Sequence, residues 1–147
     1  MSGSPPYTGR CACGAIGYEV AGEPVDMNHC QCRQCQLASG TGHSSHLTFF
    51  GADVRTTGTP NRWETTGEQG TRKSRAFCGT CGAPVYMTFP DIPELFIVSP
   101  ATLDAPERFA PRVALWTAAA QPWDYLDPTL QRFEKLPAAA RTEQGWE

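Results

Sequence analysis

Cys78-Gly79-Thr80-Cys81-Gly82 is the stretch on which the fold turns. Its two cysteines are each followed by glycine, and glycine permits the positive-φ turn that aims backbone N–H groups at a pair of sulfurs. Such a knuckle supplies two ligands of a four-coordinate site, so a second pair must come from elsewhere. Working outward, the chain offers Cys11-Ala12-Cys13-Gly14, just before an alternating run. On extended chain, cysteines at i and i+2 face the same side. Zinc is the borderline-soft ion that thiolates hold tetrahedrally, so Cys11, Cys13, Cys78 and Cys81 are expected to close one structural zinc site. That site would staple the first strand to a hairpin far along the chain and lower the entropy of the unfolded ensemble. Four free thiols packed as small hydrophobes are the alternative. Buried free cysteines, however, have no reason to fall into knuckle spacing.

Of the seven cysteines, three remain, in Cys30-Gln31-Cys32-Arg33-Gln34-Cys35. Four thiolates close a zinc site, whereas three leave a position for a ligand. Cys30, Cys32 and Cys35 are therefore read as a second, catalytic zinc site, open and labile. A histidine would instead complete it as a structural site of three cysteines and one histidine. His29 is adjacent, though too close for easy geometry, and His43 or His46 would have to fold back. Histidines on or beside a strand are more often satisfied by an ordinary hydrogen bond.

Charge narrows the chemistry. Zinc with three thiolates has a formal charge of about −1 and is a weaker Lewis acid than His-ligated catalytic zinc. Binding a further thiol suits it better, because coordination deprotonates a group whose free pKa is near ~8.5. A thiolate so prepared attacks an aldehyde carbonyl to give a thiohemiacetal, and the reverse cleaves a C–S bond. Arg33, inside the triplet, would partly offset the anionic centre. Arg72, Lys73 and Arg75 could meet carboxylates of a peptide-like thiol. The plainer reading is a solvated strand, with Lys73 and Arg75 on one face and Arg72 on the other. Ser44 and Ser45 show no base beside them, so no serine nucleophile is read.

Between the cysteine groups the pattern is mostly of period two, with Ile16, Tyr18 and Val20 alternating with Gly17 and Glu19. Further strands are expected at Ser44 to Phe50, Asn61 to Thr65, Arg72 to Phe77, Pro84 to Phe89, Glu94 to Val98 and Arg112 to Trp116. The fold class is mainly β: a single domain of short antiparallel strands stapled by the four-cysteine zinc. Helix is expected only as a turn or two after Cys32 and over Pro128 to Lys135, with Asp127 as N-cap. Trp116 and Trp123 could line a pocket, although large aromatics near strand ends read more plainly as core. At 147 residues and 40% hydrophobic the chain has apolar mass for one core. Residues 9–137 form that domain, with flexible segments at 1–8 and 138–147.

The formal charge of −3 gives no footprint for nucleic acid or an anionic membrane. Met1 to Pro6 lacks the charged start and apolar stretch of a signal peptide, so a cytoplasmic location is expected, where cysteines seldom form disulfides. The partners expected are a small thiol and a small aldehyde, with assembly into a homo-oligomer left open.

The cysteine order resembles the glutathione-dependent formaldehyde-activating enzyme (GFA) family, whose domain is shared with centromere protein V. The likeness runs through Arg10-Cys11-Ala12-Cys13-Gly14, His29 to Cys35, Phe77 to Pro84, Thr102-Leu103-Asp104-Ala105-Pro106, Trp116 and Trp123. It implies a β fold like the methionine-sulfoxide-reductase-B and Rab-exchange-accessory zinc proteins. It also implies a structural zinc on Cys11, Cys13, Cys78 and Cys81 and a catalytic one on Cys30, Cys32 and Cys35. The implied activity is a carbon-sulfur lyase, S-(hydroxymethyl)glutathione synthase, joining glutathione to formaldehyde. Many relatives carry His and a basic residue where this chain has Gln31 and Gln36, which bears on the thiol or aldehyde accepted. A non-catalytic zinc-stabilised β binding module is the alternative.

Overall fold

The computed structural model describes residues 3–137. The expected tail at 138–147 lies outside them, as do the first two residues. The described residues run through eleven strands and one α-helix. β1 (Tyr7–Arg10), β2 (Gly17–Ala21) and β5 (Asp53–Thr57) form a three-stranded antiparallel sheet in the order β1-β2-β5. β3 (Asp26–Cys30), β4 (Ser44–Phe50), β6 (Asn61–Thr66), β7 (Arg72–Phe77), β8 (Pro84–Thr88), β9 (Leu95–Val98), β10 (Val113–Leu115) and β11 (Gln131–Arg132) form the larger sheet. Its order is β11-β10-β3-β4-β9-β8-β7-β6.

Alternation decides which face each side chain meets. Along β4, Leu47 and Phe49 point to one face, and their register partners Val98 and Phe96 on β9 point with them. Tyr86 on β8 and Ala76 on β7 continue that face. The three-stranded sheet covers it, laying Tyr7, Tyr18 and Val20 against Leu47, Phe49 and Phe96. An edge-on contact of Tyr7 with Phe49, centroids 5.4 Å apart, and another of Tyr18 with Phe96 at 6.4 Å stitch the two layers. β9 is buried at all four positions and shows no polar alternation, as a strand covered on both faces should. The other face carries Met87, Leu95, Ile97 and Phe89 as a second apolar cluster. A third, of Cys30, Cys35 and Leu115, lies beside it.

The class is mainly β, and most of its strand pairs are antiparallel. The exceptions lie at one edge, where β11 pairs in parallel with β10 and β10 in parallel with β3. Regular structure begins at Tyr7, which is 5% exposed, two residues before the boundary placed at residue 9. Two expectations are corrected. Pro128 to Lys135 is not a helix: Asp127 does accept from the Thr129 amide at 2.9 Å, but only a turn follows before β11. Trp123 is no core residue, being 64% exposed.

Candidate metal centres and the cavity beside them

Backbone geometry builds the first centre from two turns. Gly14 at φ +82° follows Cys13, and Gly82 at φ +79° follows Cys81. Each glycine amide closes its loop, Gly14 N on Cys11 O at 3.1 Å and Gly82 N on Cys78 O at 2.8 Å. The folded loops bring amides onto sulfur: Ile16 N donates to Cys11 Sγ at 3.3 Å, and Thr80 N and Cys81 N donate to Cys78 Sγ at 3.3 and 3.4 Å. Cys11, Cys13, Cys78 and Cys81 have their sulfurs within 4.8 Å of one another. Cys13 Sγ stands 3.7 Å from Cys11 Sγ and 3.6 Å from Cys78 Sγ, close to the edge of about 3.8 Å that a tetrahedron of ~2.3 Å Zn–S bonds requires.

Ionisation within this group is antagonistic. Burial opposes the Cys11 thiolate, yet the Ile16 amide and the thiols of Cys13, Cys78 and Cys81 together bring it down to about 6. Cys13 goes up to about 11, because the help of the Ala15 amide is outweighed by Cys78, burial, Cys11 and Cys81. Close-set thiols cannot all ionise unless a cation takes the charge. The donor set and spacing therefore fit a divalent, sulfur-preferring ion such as zinc.

The second centre sits where β3 ends and the helix α1 (Arg33–Ser39) begins. Cys32 is the helix N-cap, its sulfur accepting from Cys35 N at 3.4 Å. That cap turns Cys35 back toward Cys30, the last residue of β3. The three sulfurs lie within 4.8 Å of one another, and no histidine, aspartate or glutamate among the described residues joins the group. Contacts with Cys30 and Cys35 hold the Cys32 thiol far below its ordinary range against the cost of burial. Donation toward Cys32 and Cys35 pushes Cys30 up, with burial adding to it. One thiolate is thus favoured at the expense of its neighbours, and this donor set too fits a cation.

His46 flanks the group, its Nε2 4.0 Å from Cys35 Sγ. Its tautomer follows from its neighbours. The Asp26 carboxylate can only accept, so it takes the Asn28 Nδ2–H at 2.6 Å, which turns Asn28 Oδ1 toward His46 Nδ1 at 3.2 Å. His46 therefore carries its proton on Nδ1 and presents a lone pair at Nε2. Burial, with Arg75 and Lys73 nearby, pushes its pKa down to about 3 and keeps it neutral. A hydrogen-bond role for His43 and His46 is what the strand positions suggested. His43 meets it with Asp124, 3.0 Å away.

Beside the triplet opens a cavity of about 330 Å³. Its wall is largely apolar, with Met87, Phe89, Ile97 and Leu115 in line with the three cysteines, and Lys73 and Arg33 stand among its polar members. Trp116 completes the wall from an unusual backbone, φ 58° and ψ 38°, directly after β10. A bulky residue held left-handed costs about 1–2 kcal/mol, and here it turns the chain into the short 3₁₀ segment Thr117–Ala119.

The model of the glutathione-dependent formaldehyde-activating enzyme family matches residues 6–119, a span that holds both cysteine groups. This chain is a member of that family. The crystal structure of a Rhodobacter sphaeroides protein, 23% identical, matches 86% of this GFA chain and 98% of its own with a TM-score of 0.52. That likeness is one of fold. No curated protein matches.

The GFA chain also makes contacts that its sequence did not mark. Gln31 and Gln36 are buried, 2% and 4% exposed. Gln36 Nε2 donates to Gln31 O at 2.7 Å and Ala119 O at 3.0 Å, while its Oε1 accepts from Arg33 Nη1 at 2.5 Å and Gln121 Nε2 at 3.2 Å. Gln31 Nε2 donates to Asp124 Oδ2 at 2.9 Å. The two glutamines bolt the cysteine loop to the segment after β10, and only their position in and beside the triplet hinted at it. Ser45 Oγ lies 2.9 Å from His29 Nδ1, a pairing that the chain order concealed. Arg33 reaches Gln36, and Lys73 and Arg75 are half-buried rather than solvated.

Proposed function

We propose that this protein binds a small thiol, glutathione or an analogue, at Cys30, Cys32 and Cys35 and adds it reversibly to formaldehyde or a related aldehyde. It would then be a carbon-sulfur lyase of the S-(hydroxymethyl)glutathione synthase type. The observation that carries this reading is a trio of convergent sulfurs, joined by no other donor among the described residues, opening on a cavity. A zinc ion held by those thiolates would supply a vacant position where an incoming thiol ionises. The addition itself is balanced without an oxidant. A C–S bond forms from the thiolate to the carbonyl carbon, the C=O π bond breaks, and the thiol proton ends on the new hydroxyl.

The chain's own residues do the remaining work. The Cys35 amide holds the Cys32 sulfur, and the helix cap fixes where the trio points. His46 Nε2 offers a neutral acceptor beside Cys35, available to a hydroxyl near the trio. The apolar wall keeps water from the thiolate. In the proposal Cys11, Cys13, Cys78 and Cys81 have no chemical part and hold a structural zinc.

The test is glutathione-dependent formaldehyde consumption by the zinc-loaded protein, set against the uncatalysed rate, with Cys32→Ser as control. We expect a clear excess for the parent chain and none for the variant. Because thiols add to formaldehyde unaided, the margin is small in free energy, and the comparison must be made at low thiol. No excess for the parent would leave a zinc-stabilised binding module in place of an enzyme.

A further inference from the structure

The cavity's lining says which thiol suits it, an inference that rests on the thiol-binding reading above. Formaldehyde needs almost no room, and a peptide thiol such as glutathione brings amides that require partners when buried. Asn28, Gln34, His46, Gln69 and Thr71 are polar members of the lining, but most of its exposed surface is apolar. Met87, Phe89, Ile97, Leu115 and Trp116 present carbon and sulfur to the space, from β8, the turn after it, β9, β10 and the left-handed turn.

Charge on the wall is as informative. Glu68 is held by Lys135 Nζ at 3.0 Å. Arg33 gives Nη1 to Gln36 Oε1. Lys73 Nζ lies 3.5 Å from the neutral carboxamide oxygen of Gln34 and its charge favours the Cys32 thiolate, while among the described residues no carboxylate lies within ion-pair distance of it. In register Lys73 follows Arg75 and Met87 along the face that carries His46 and Cys30. A half-buried ammonium with no carboxylate partner, lining a largely apolar space, suits an anionic group arriving on a ligand.

We propose that the preferred thiol has an apolar body and one carboxylate, a mercapto acid of a few methylenes, with the body against Met87, Ile97 and Leu115 and the carboxylate on Lys73. Lys73 is then a specificity-determining residue. Each methylene buried against this wall raises affinity roughly fourfold, and a charge-assisted contact adds about tenfold.

Binding is read on the cobalt-loaded protein, whose thiolate-to-metal absorption rises when a further thiolate joins the trio, so the readout does not require turnover. The probes are 6-mercaptohexanoate, 3-mercaptopropionate, 6-mercaptohexanol and glutathione. We expect 6-mercaptohexanoate to bind at least about tenfold more tightly than each of the others. Lys73→Met should cut its affinity about tenfold and leave 6-mercaptohexanol unchanged, while Lys73→Arg retains the preference. The absorption of the Cys11–Cys78 group reports that each variant is folded. Equal affinity for the acid and the alcohol, or for the short and the long acid, would overturn this inference while leaving thiol binding intact. If none of the four thiols changes the spectrum, the reading under Proposed function fails as well.

Discussion

Gln36 shows how a single buried amide holds the candidate site together. All of its polar atoms are used, and two of its partners are backbone carbonyls, Gln31 O within the cysteine loop and Ala119 O in the 3₁₀ segment after β10. Gln36→Ala strips both and leaves buried acceptors unpaired, a loss of about 1–3 kcal/mol. Denaturant unfolding should show that drop, and metal affinity should weaken at the trio and not at the tetrad. His46 answers a different question. It stands by Cys35 without joining the metal-competent group, so zinc content in His46→Ala should stay at that of the parent chain. Loss of the trio's ion alone would make His46 the fourth ligand and close the site. Cysteine identity and spacing made the two convergent cysteine groups legible from the sequence. The lone pair on His46 was hidden, because it depends on Asp26 and Asn28, whose alignment exists only once β3 is paired with β4.

At the level of elements, the turns decide whether the tetrad forms. Gly58, between β5 and β6, adopts φ +79°, and a Cβ there would stand 2.0 Å from the Ala15 carbonyl oxygen. That carbonyl belongs to the loop carrying Cys11 and Cys13. Gly82 has the same φ of +79° but open space around it. The pair separates conformational strain from collision. Gly82→Ala should cost about 1–2 kcal/mol, the penalty of a left-handed alanine. Gly58→Ala should cost about 3 kcal/mol or more, since backbone must move as well. Thermal melts of the two variants at matched zinc would show it, and equal losses would mean the β5–β6 turn has slack. Strands with clear alternation, such as β4 and β7, were readable from the chain at their observed bounds. β3 was not: Asp26, Asn28 and His29 are poor strand formers, and their place is fixed by β4 on one side and β10 on the other. The segment after Asp127 has the N-cap signal but pairs with β10, so tertiary pairing overrides a local preference.

Across the whole molecule the two cysteine groups sit in mechanically unequal places. Cys11 and Cys13 follow β1 of the small sheet, and Cys78 and Cys81 sit between β7 and β8 of the large one, so the tetrad bridges the layers whose inner faces make the main core. The trio joins only the end of β3 to α1 and closes a few residues of chain. Closing a long loop removes far more unfolded-state entropy than closing a short one, and metal bound only by the folded chain adds its binding energy to stability. The mainly β class and the meeting of Cys11 and Cys13 with Cys78 and Cys81 were visible in the sequence because sulfur pairs are discrete marks. The cavity was not, since its wall is gathered from residues between Asn28 and Leu136 and no local pattern announces it. Titration with a chelator should therefore proceed in two steps. The first zinc, from Cys30, Cys32 and Cys35, should leave with near-unchanged far-ultraviolet circular dichroism and a melting temperature lowered by a few degrees at most. The second, from Cys11, Cys13, Cys78 and Cys81, should leave together with the cooperative unfolding transition. Cys32→Ser should abolish the first step alone, whereas Cys78→Ser should yield a chain that melts early even with excess zinc. Release of both ions in one step coincident with unfolding would place the trio in the scaffold and deprive the molecule of its reactive end.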